Sequence, residues 1–160
     1  PVAYIEVHCG MRLTHSYYIC RQIDGAEDLR LWHLRDASAM SPVLDELAKY
    51  MVRLHRAGVY HKDFSPGNIL YRTEDGRRRF YLIDINRMNF GVQSRKRLMD
   101  NFSRIDIESA EATADLARRY ALAAGIDPET TASEAVAQLH KYLCGKHRHR
   151  MLKKLFKFSK

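Results

Sequence analysis

An α+β fold with a mostly helical second part is what this sequence predicts, and three observations predict it. The chain opens on two short runs rich in β-branched and aromatic residues, "VAYIEVH" and "SYYICRQI". An amphipathic stretch between Ser41 and Gly58 follows, and two apolar runs then flank Asp75-Gly76, ahead of a C-terminal half with helix-forming composition.

The first two runs read as strands joined by a turn at Cys9-Gly10-Met11. The segment "DGAEDLRLWHLRDAS" reads as a connector in which Trp32 and Leu34 pack inward. Ser41 followed by Pro42 predicts a helix start, because a serine hydroxyl accepts an orphan amide bond and proline at the first helical position loses nothing. Leu44, Leu47, Ala48, Met51 and Leu54 then share a face, and Gly58 supplies the stop.

Beyond it, "NILYR" and "RFYLIDI" predict two strands around the turn "TEDGRRR". Two more helices are predicted over "SAEATADLARRYALAAG" and "ETTASEAVAQLHKYLCG", with Gly125 and Gly145 as terminators and Asp127-Pro128 as a start.

Composition narrows the class. With 46% hydrophobic and 29% charged residues over 160, the chain is neither disordered nor membrane-spanning, and no apolar run approaches the ~20 residues a bilayer requires. Cys9, Cys20 and Cys144 form no C-x-x-C pair and leave an odd thiol, which fits a reducing compartment. Of the 27 Lys and Arg, seven fall in "KHRHRMLKKLFKFSK" from Lys146 onward, where no acid occurs; the other 20 face 19 acids. The basic charge is therefore a property of one end, and its interleaving with Met151, Leu152, Leu155, Phe156 and Phe158 suits an anionic membrane surface, a solvated end or, less well, nucleic acid.

One stretch carries chemistry. In "VYHKDFSPGNILYR", Asp63 and Asn68 stand five residues apart on the loop between a helix and a strand, and Asp84 ends a hairpin that returns it to their vicinity. Phosphoryl transfer from a nucleotide requires a carboxylate to orient and deprotonate the attacking hydroxyl, and hard oxygen ligands for magnesium. Asp63 is the expected base, with Asn68 and Asp84 as the expected metal ligands. As isolated pieces, a His-x-Asp loop and a strand-ending Asp are ordinary turn chemistry. Their joint placement around one hairpin argues for a site.

The order His61-Lys62-Asp63-Phe64-Ser65-Pro66-Gly67-Asn68 resembles the catalytic loop of the protein-kinase-like fold, H-x-D-x-x-x-x-N. More narrowly, "HKDFSPGNIL" with "YLIDINRMNF" resembles the lipopolysaccharide kinase family, the Kdo and WaaP kinases that phosphorylate inner-core sugars; the resemblance covers Val2 to Phe90. It implies a protein-kinase-like fold with residues 1–24 as the end of a small lobe and its hinge, 25–145 as a helical catalytic lobe and 146–160 as a basic tail. It also implies ATP and Mg2+ as cofactors and a lipopolysaccharide-core or related glycolipid acceptor; with the free thiols this gives the expectation of a cytoplasmic protein, at the inner face of the inner membrane where such an acceptor is anchored, and no nucleic acid is expected because the basic charge is confined to one end. His61 is then expected to orient the loop, Lys62 to stand where many protein kinases have arginine, and Gln22 and Ile23 to belong to the nucleotide hinge.

The sequence departs from the pattern in three ways. None of its eight glycines forms G-x-G-x-x-G, and no V-A-I-K-like strand is present, so the chain is expected to be N-terminally truncated and to bind ATP weakly by itself. Asn86 takes the place of the glycine two residues after the metal-binding aspartate. No A-P-E segment follows, which favours a small-molecule or glycolipid acceptor over a protein. Two other readings remain open: a soluble phosphotransferase of the aminoglycoside or choline kinase type, and a pseudokinase serving as a binding module.

Overall fold

The structure, a computed structural model, describes residues 2–106 and 108–157. Strands β1 (Ala3–Cys9) and β2 (Arg12–Ile19) pair antiparallel around Gly10, whose φ of +58° suits a residue without Cβ. All residues of both strands are exposed. The segment around Gln22 and Ile23 leads to a short strand, β3 (Glu27–Asp28), then to a 3-10 turn over Trp32–Leu34 that buries Trp32 and leaves Leu34 exposed.

Helix α1 (Ala37–Arg56) starts earlier than Ser41-Pro42 suggests. Asp36 caps it by accepting the Ser38 amide at 2.9 Å, so Pro42 lies inside the helix rather than at its first position. The expected inward face is correct: Leu44, Leu47, Ala48 and Met51 are buried, Leu54 packs at the margin, and Gly58 (φ +67°) follows the C-cap.

Strands β4 (Tyr60–His61), β5 (Ile69–Glu74), β6 (Arg77–Leu82) and β7 (Met88–Asn89) come next. The β5–β6 hairpin turns at Asp75 and Gly76, both at positive φ, as a two-residue turn of this hand requires. Strand β5 also pairs with β3, and β4 pairs with β7, all antiparallel. The consequence is geometric: the β4-to-β5 loop and the β6-to-β7 loop connect the same two sheets, so residues 62–68 and 83–87 run side by side. Hydrogen bonds lock both ends, from the Lys62 amide to the Arg87 carbonyl at 2.9 Å and from the Ile83 amide to the Asn68 carbonyl at 3.1 Å.

A short helix α2 (Arg95–Met99) runs into a 3-10 segment, Asp100–Arg104. Helix α3 (Ala110–Ala124) is capped by Ser109 and stopped by Gly125 at φ +75°, as expected. Helix α4 (Pro128–Lys157) starts where Asp127 accepts the Thr130 amide at 2.7 Å. Gly145 does not end it; the helix continues through that residue into the basic tail. Of the tail pattern, the side chains of Lys154, Leu155, Phe156 and Lys157, and all of Phe158 and Lys160, lie outside the described residues.

The core forms where α1 and α3 meet, with the 100–104 segment and α4 closing it. Leu47, Met51, Phe102, Leu116 and Leu139 are essentially inaccessible, each contributing about 1.5–3 kcal/mol by leaving water. The paired loops lie against this core through His61 and Phe64, both buried. The architecture is α+β, with four helices and small antiparallel sheets among the described residues.

Candidate active site

His61 is 2% exposed, and both ring nitrogens are engaged. The Asp63 amide donates to Nδ1 at 3.1 Å, which leaves the ring proton on Nε2, where it is donated to the Ile83 carbonyl at 3.0 Å. One imidazole thus ties the loop that carries Asp63 to the loop that carries Asp84. With no free nitrogen, it has an orienting geometry and not that of a proton carrier.

Asn68 faces Asp63 from the far end of the same loop. Its Nδ2 donates to the Asp63 carbonyl at 2.9 Å, which leaves Oδ1 as the free end of the amide. Pro66 and Gly67 bend the chain between them as a 3-10 turn. Asp84 sits two residues past the end of β6 in left-handed backbone, φ +59° and ψ +47°, a conformation uncommon for a residue with a side chain.

The two carboxylates face one cation. Arg87 Nε lies 2.7 Å from Asp84 Oδ2, and Arg87 Nη1 lies 3.9 Å from Asp63 Oδ2. A second guanidinium, Arg104, donates to the other oxygen of Asp63 at 3.1 Å and stacks 4.8 Å over the Tyr142 ring of α4. Asp63, Asn68 and Asp84 all line one cleft of about 490 Å³, together with Arg30, His33, Arg104, Asp106 and Tyr142.

Lys62 is exposed and does not line that cleft; nor do Gln22 and Ile23. Several cleft residues carry no sequence signal. His33 donates from Nδ1 to the 96%-buried Asp106 at 2.5 Å, and the other Asp106 oxygen accepts the Glu108 and Ser109 amides at 3.1 Å each. Arg30 lies across Gly67, where a Cβ would come within 2.8 Å of its Nε.

Behind the loop runs a buried polar relay. Asn101 Nδ2 donates to the His61 carbonyl at 2.7 Å, its Oδ1 accepts from His55 Nε2 at 3.0 Å, and His55 Nδ1 accepts from the Tyr120 hydroxyl at 2.9 Å. Burial holds the His55 imidazole below its ordinary value, against a smaller opposing pull from the Asn101 bond, so the neutral ring is favoured. Next to Asn101 in the same 3-10 segment, Asp100 accepts the Tyr60 hydroxyl at 2.6 Å; burial first, and then that carboxylate, push the phenol up to about 12.

The Asp63 and Asp84 carboxylates and the Asn68 amide oxygen are hard oxygen groups brought to one cleft by two loops that the His61 imidazole ties together. Among the described residues no three His, Cys, Asp or Glu side chains cluster closely enough to hold a metal alone. Residues 1–122, more than three quarters of the chain, match the model of the lipopolysaccharide kinase (Kdo/WaaP) family.

The chain belongs to the lipopolysaccharide kinase (Kdo/WaaP) family. No curated protein and no solved structure matches it. The family match extends past Phe90, where the resemblance read from motifs ends, and takes in α2, the 100–104 segment that supplies Asn101 and Arg104, and most of α3, which supplies Tyr120. Membership in a kinase family supports phosphotransferase activity, ATP use and a lipopolysaccharide-related acceptor. No helix of the described residues is long and apolar enough to cross a membrane.

Proposed function

We propose that this chain is the catalytic lobe of an ATP-dependent, protein-kinase-like enzyme that phosphorylates a sugar hydroxyl of lipopolysaccharide core, with Asp63 as the base. The convergence of Asp63 and Asp84 on a single guanidinium carries this reading, because residues twenty-one positions apart share one charge locus. In this reading Asp63 accepts the proton of the acceptor hydroxyl as its oxygen bonds to the γ-phosphorus, and the bond from that phosphorus to the bridging oxygen of ADP breaks. Asn68 Oδ1 and Asp84 would hold Mg2+, which when bound neutralises charge on the phosphates.

The remaining residues position these groups. His61 ties the two loops together through backbone groups, the Ile83 carbonyl and the Asp63 amide, and so sets the separation of the segments that carry both carboxylates. Arg104 restrains the Asp63 carboxylate from the side opposite Arg87. Lys62, exposed and next in sequence to the base, is assigned a supporting role toward phosphate or acidic substrate by family resemblance. Gln22 and Ile23, on the segment after β2, are assigned to the adenine side by family resemblance.

The same reading sets the protein in the cytoplasm, against the inner face of the inner membrane. The exposed end of α4 supports it: Arg148, Arg150 and Lys153 accompany Met151 and Leu152, each 47% exposed. Cations near an anionic surface contribute about 1 kcal/mol each.

The deciding experiment is a transfer assay from γ-labelled ATP, in the protein that carries this chain, to lipopolysaccharide core, free amino sugars and choline. Labelling of core alone, abolished in Asp63→Asn, supports the proposal. Preferred labelling of amino sugars or choline supports a small-molecule phosphotransferase, and no transfer with retained nucleotide binding supports a pseudokinase.

A further inference from the structure

A second cavity of about 380 Å³ adjoins the Asp63 cleft, and the two share Arg104 and Tyr142 as a common wall. It lies between the 100–104 segment and α4, and its character is basic: Arg104, Lys141 and Lys146 line it against a single carboxylate, Asp100. That carboxylate already accepts the Tyr60 hydroxyl. Lys141 and Lys146 form no ion pair among the described residues, while Arg104 and Lys146 both lie against the Tyr142 ring, at 4.8 and 6.0 Å from its centroid. Two cations against one aromatic face and a third, Lys141, lining the same cavity give it the charge to hold an anion one cavity away from Asp63.

Resting on the functional reading above, we infer that Lys141, Lys146 and Arg104 bind an anionic substituent of the acceptor, a sugar carboxylate or a phosphate on a neighbouring sugar, while its hydroxyl meets Asp63. The acceptor then spans both cavities across Tyr142, and an uncharged sugar of equal size binds without the second anchor. Selectivity for a charged glycan over a free neutral sugar follows from this geometry, independently of the nucleotide.

The test is calorimetric titration, without nucleotide, of core oligosaccharide into the protein carrying this chain. Matched ligands are the intact oligosaccharide, the same after dephosphorylation, and the same with its carboxylates reduced. The double variant K141Q/K146Q is expected to bind intact oligosaccharide at least about tenfold more weakly than the wild type. The modified ligand lacking the recognised anion should bind both proteins equally, which tells phosphate from carboxylate. K49Q, on the exposed side of α1, is the control and should match the wild type. Equal affinity of K141Q/K146Q and wild type for the intact ligand overturns the inference. If that occurs while phosphate is still transferred to core in an Asp63-dependent manner, the subsite fails and the functional reading stands; absence of transfer to core by the wild type overturns the functional reading itself.

Discussion

Arg87 Nε lies 2.7 Å from Asp84 Oδ2, so a guanidinium already occupies the carboxylate proposed to hold a divalent ion. Any cation drawn to Asp84 must displace this guanidinium, whose side chain is 53% exposed and free to swing away. A neutral replacement removes the competition. Arg87→Gln is therefore expected to tighten Mn2+ binding, read by loss of the free-ion paramagnetic resonance signal, by about threefold to thirtyfold. Asp84→Asn should weaken it in the same titration, and unchanged binding in both variants would remove these residues from the metal site.

Asp63→Asn keeps the size of the side chain and removes its basicity. Turnover should fall by about 10²- to 10⁴-fold with nucleotide affinity changed less than about threefold. Because the backbone amide of residue 63, not its carboxylate, bonds His61, and its carbonyl bonds Asn68, the loop should persist in the variant. A parallel loss of nucleotide binding would point to a collapsed loop instead of a missing base.

Asn101→Ala leaves the buried His61 carbonyl and His55 Nε2 proton without partners, at a cost of about 1–3 kcal/mol for each group. The stability loss should come with a fall in kcat larger than any rise in KM, since the relay ends on the loop that bears Asp63. Denaturant melts and initial rates on one preparation check both parts.

His55 gives the relay a pH signature. Its folded-state value lies below the ordinary 6.5, so as pH drops below that ordinary value the unfolded chain takes up a proton that the folded protein resists. The contribution of the neutral ring is complete above the unfolded value and is lost as pH falls toward the folded one. Urea midpoints between pH 8 and pH 5 should decline accordingly, and His55→Gln should show a shallower decline.

Two glycines, Gly58 and Gly67, should respond unequally to alanine. At Gly58 the φ of +67° is combined with backbone at 3.1 Å from an added Cβ, the Val92 amide nitrogen, and Gly58→Ala should cost more than about 1 kcal/mol. At Gly67 φ is not positive, and the atoms met belong to the end of the Arg30 side chain, which can move. Gly67→Ala should melt within about 0.5 kcal/mol of the wild type. Equal losses at the two sites would refute this distinction.

How much of this was readable follows from the range of each signal. The His61, Asp63 and Asn68 spacing is local, and the return of Asp84 is written in the Asp75-Gly76 hairpin, so these could be read from the sequence. Arg104, His33 and Asp106 could not, because they reach the cleft from segments about 30 to 40 residues away along the chain from Asp63, and isolated Arg, His or Asp residues look like solvated surface. Ser41-Pro42 misled for the opposite reason: it is a strong local start signal, overridden by the Asp36 cap one turn earlier. Gly145 likewise carries a penalty of about 1 kcal/mol relative to alanine, too small to break a helix seated along the 100–104 segment.

The opening hairpin leaves Tyr4, Ile5, Val7, Leu13, Tyr17, Tyr18 and Ile19 each at least 43% exposed. Two strands with neither face covered are marginal in water. Deuterium should therefore enter the amides of β1 and β2 orders of magnitude sooner than those of α1, and a protease should nick there before it reaches the loop that carries Asp63. A preparation of this chain thus has a built-in clock: the time for which its first twenty residues stay intact.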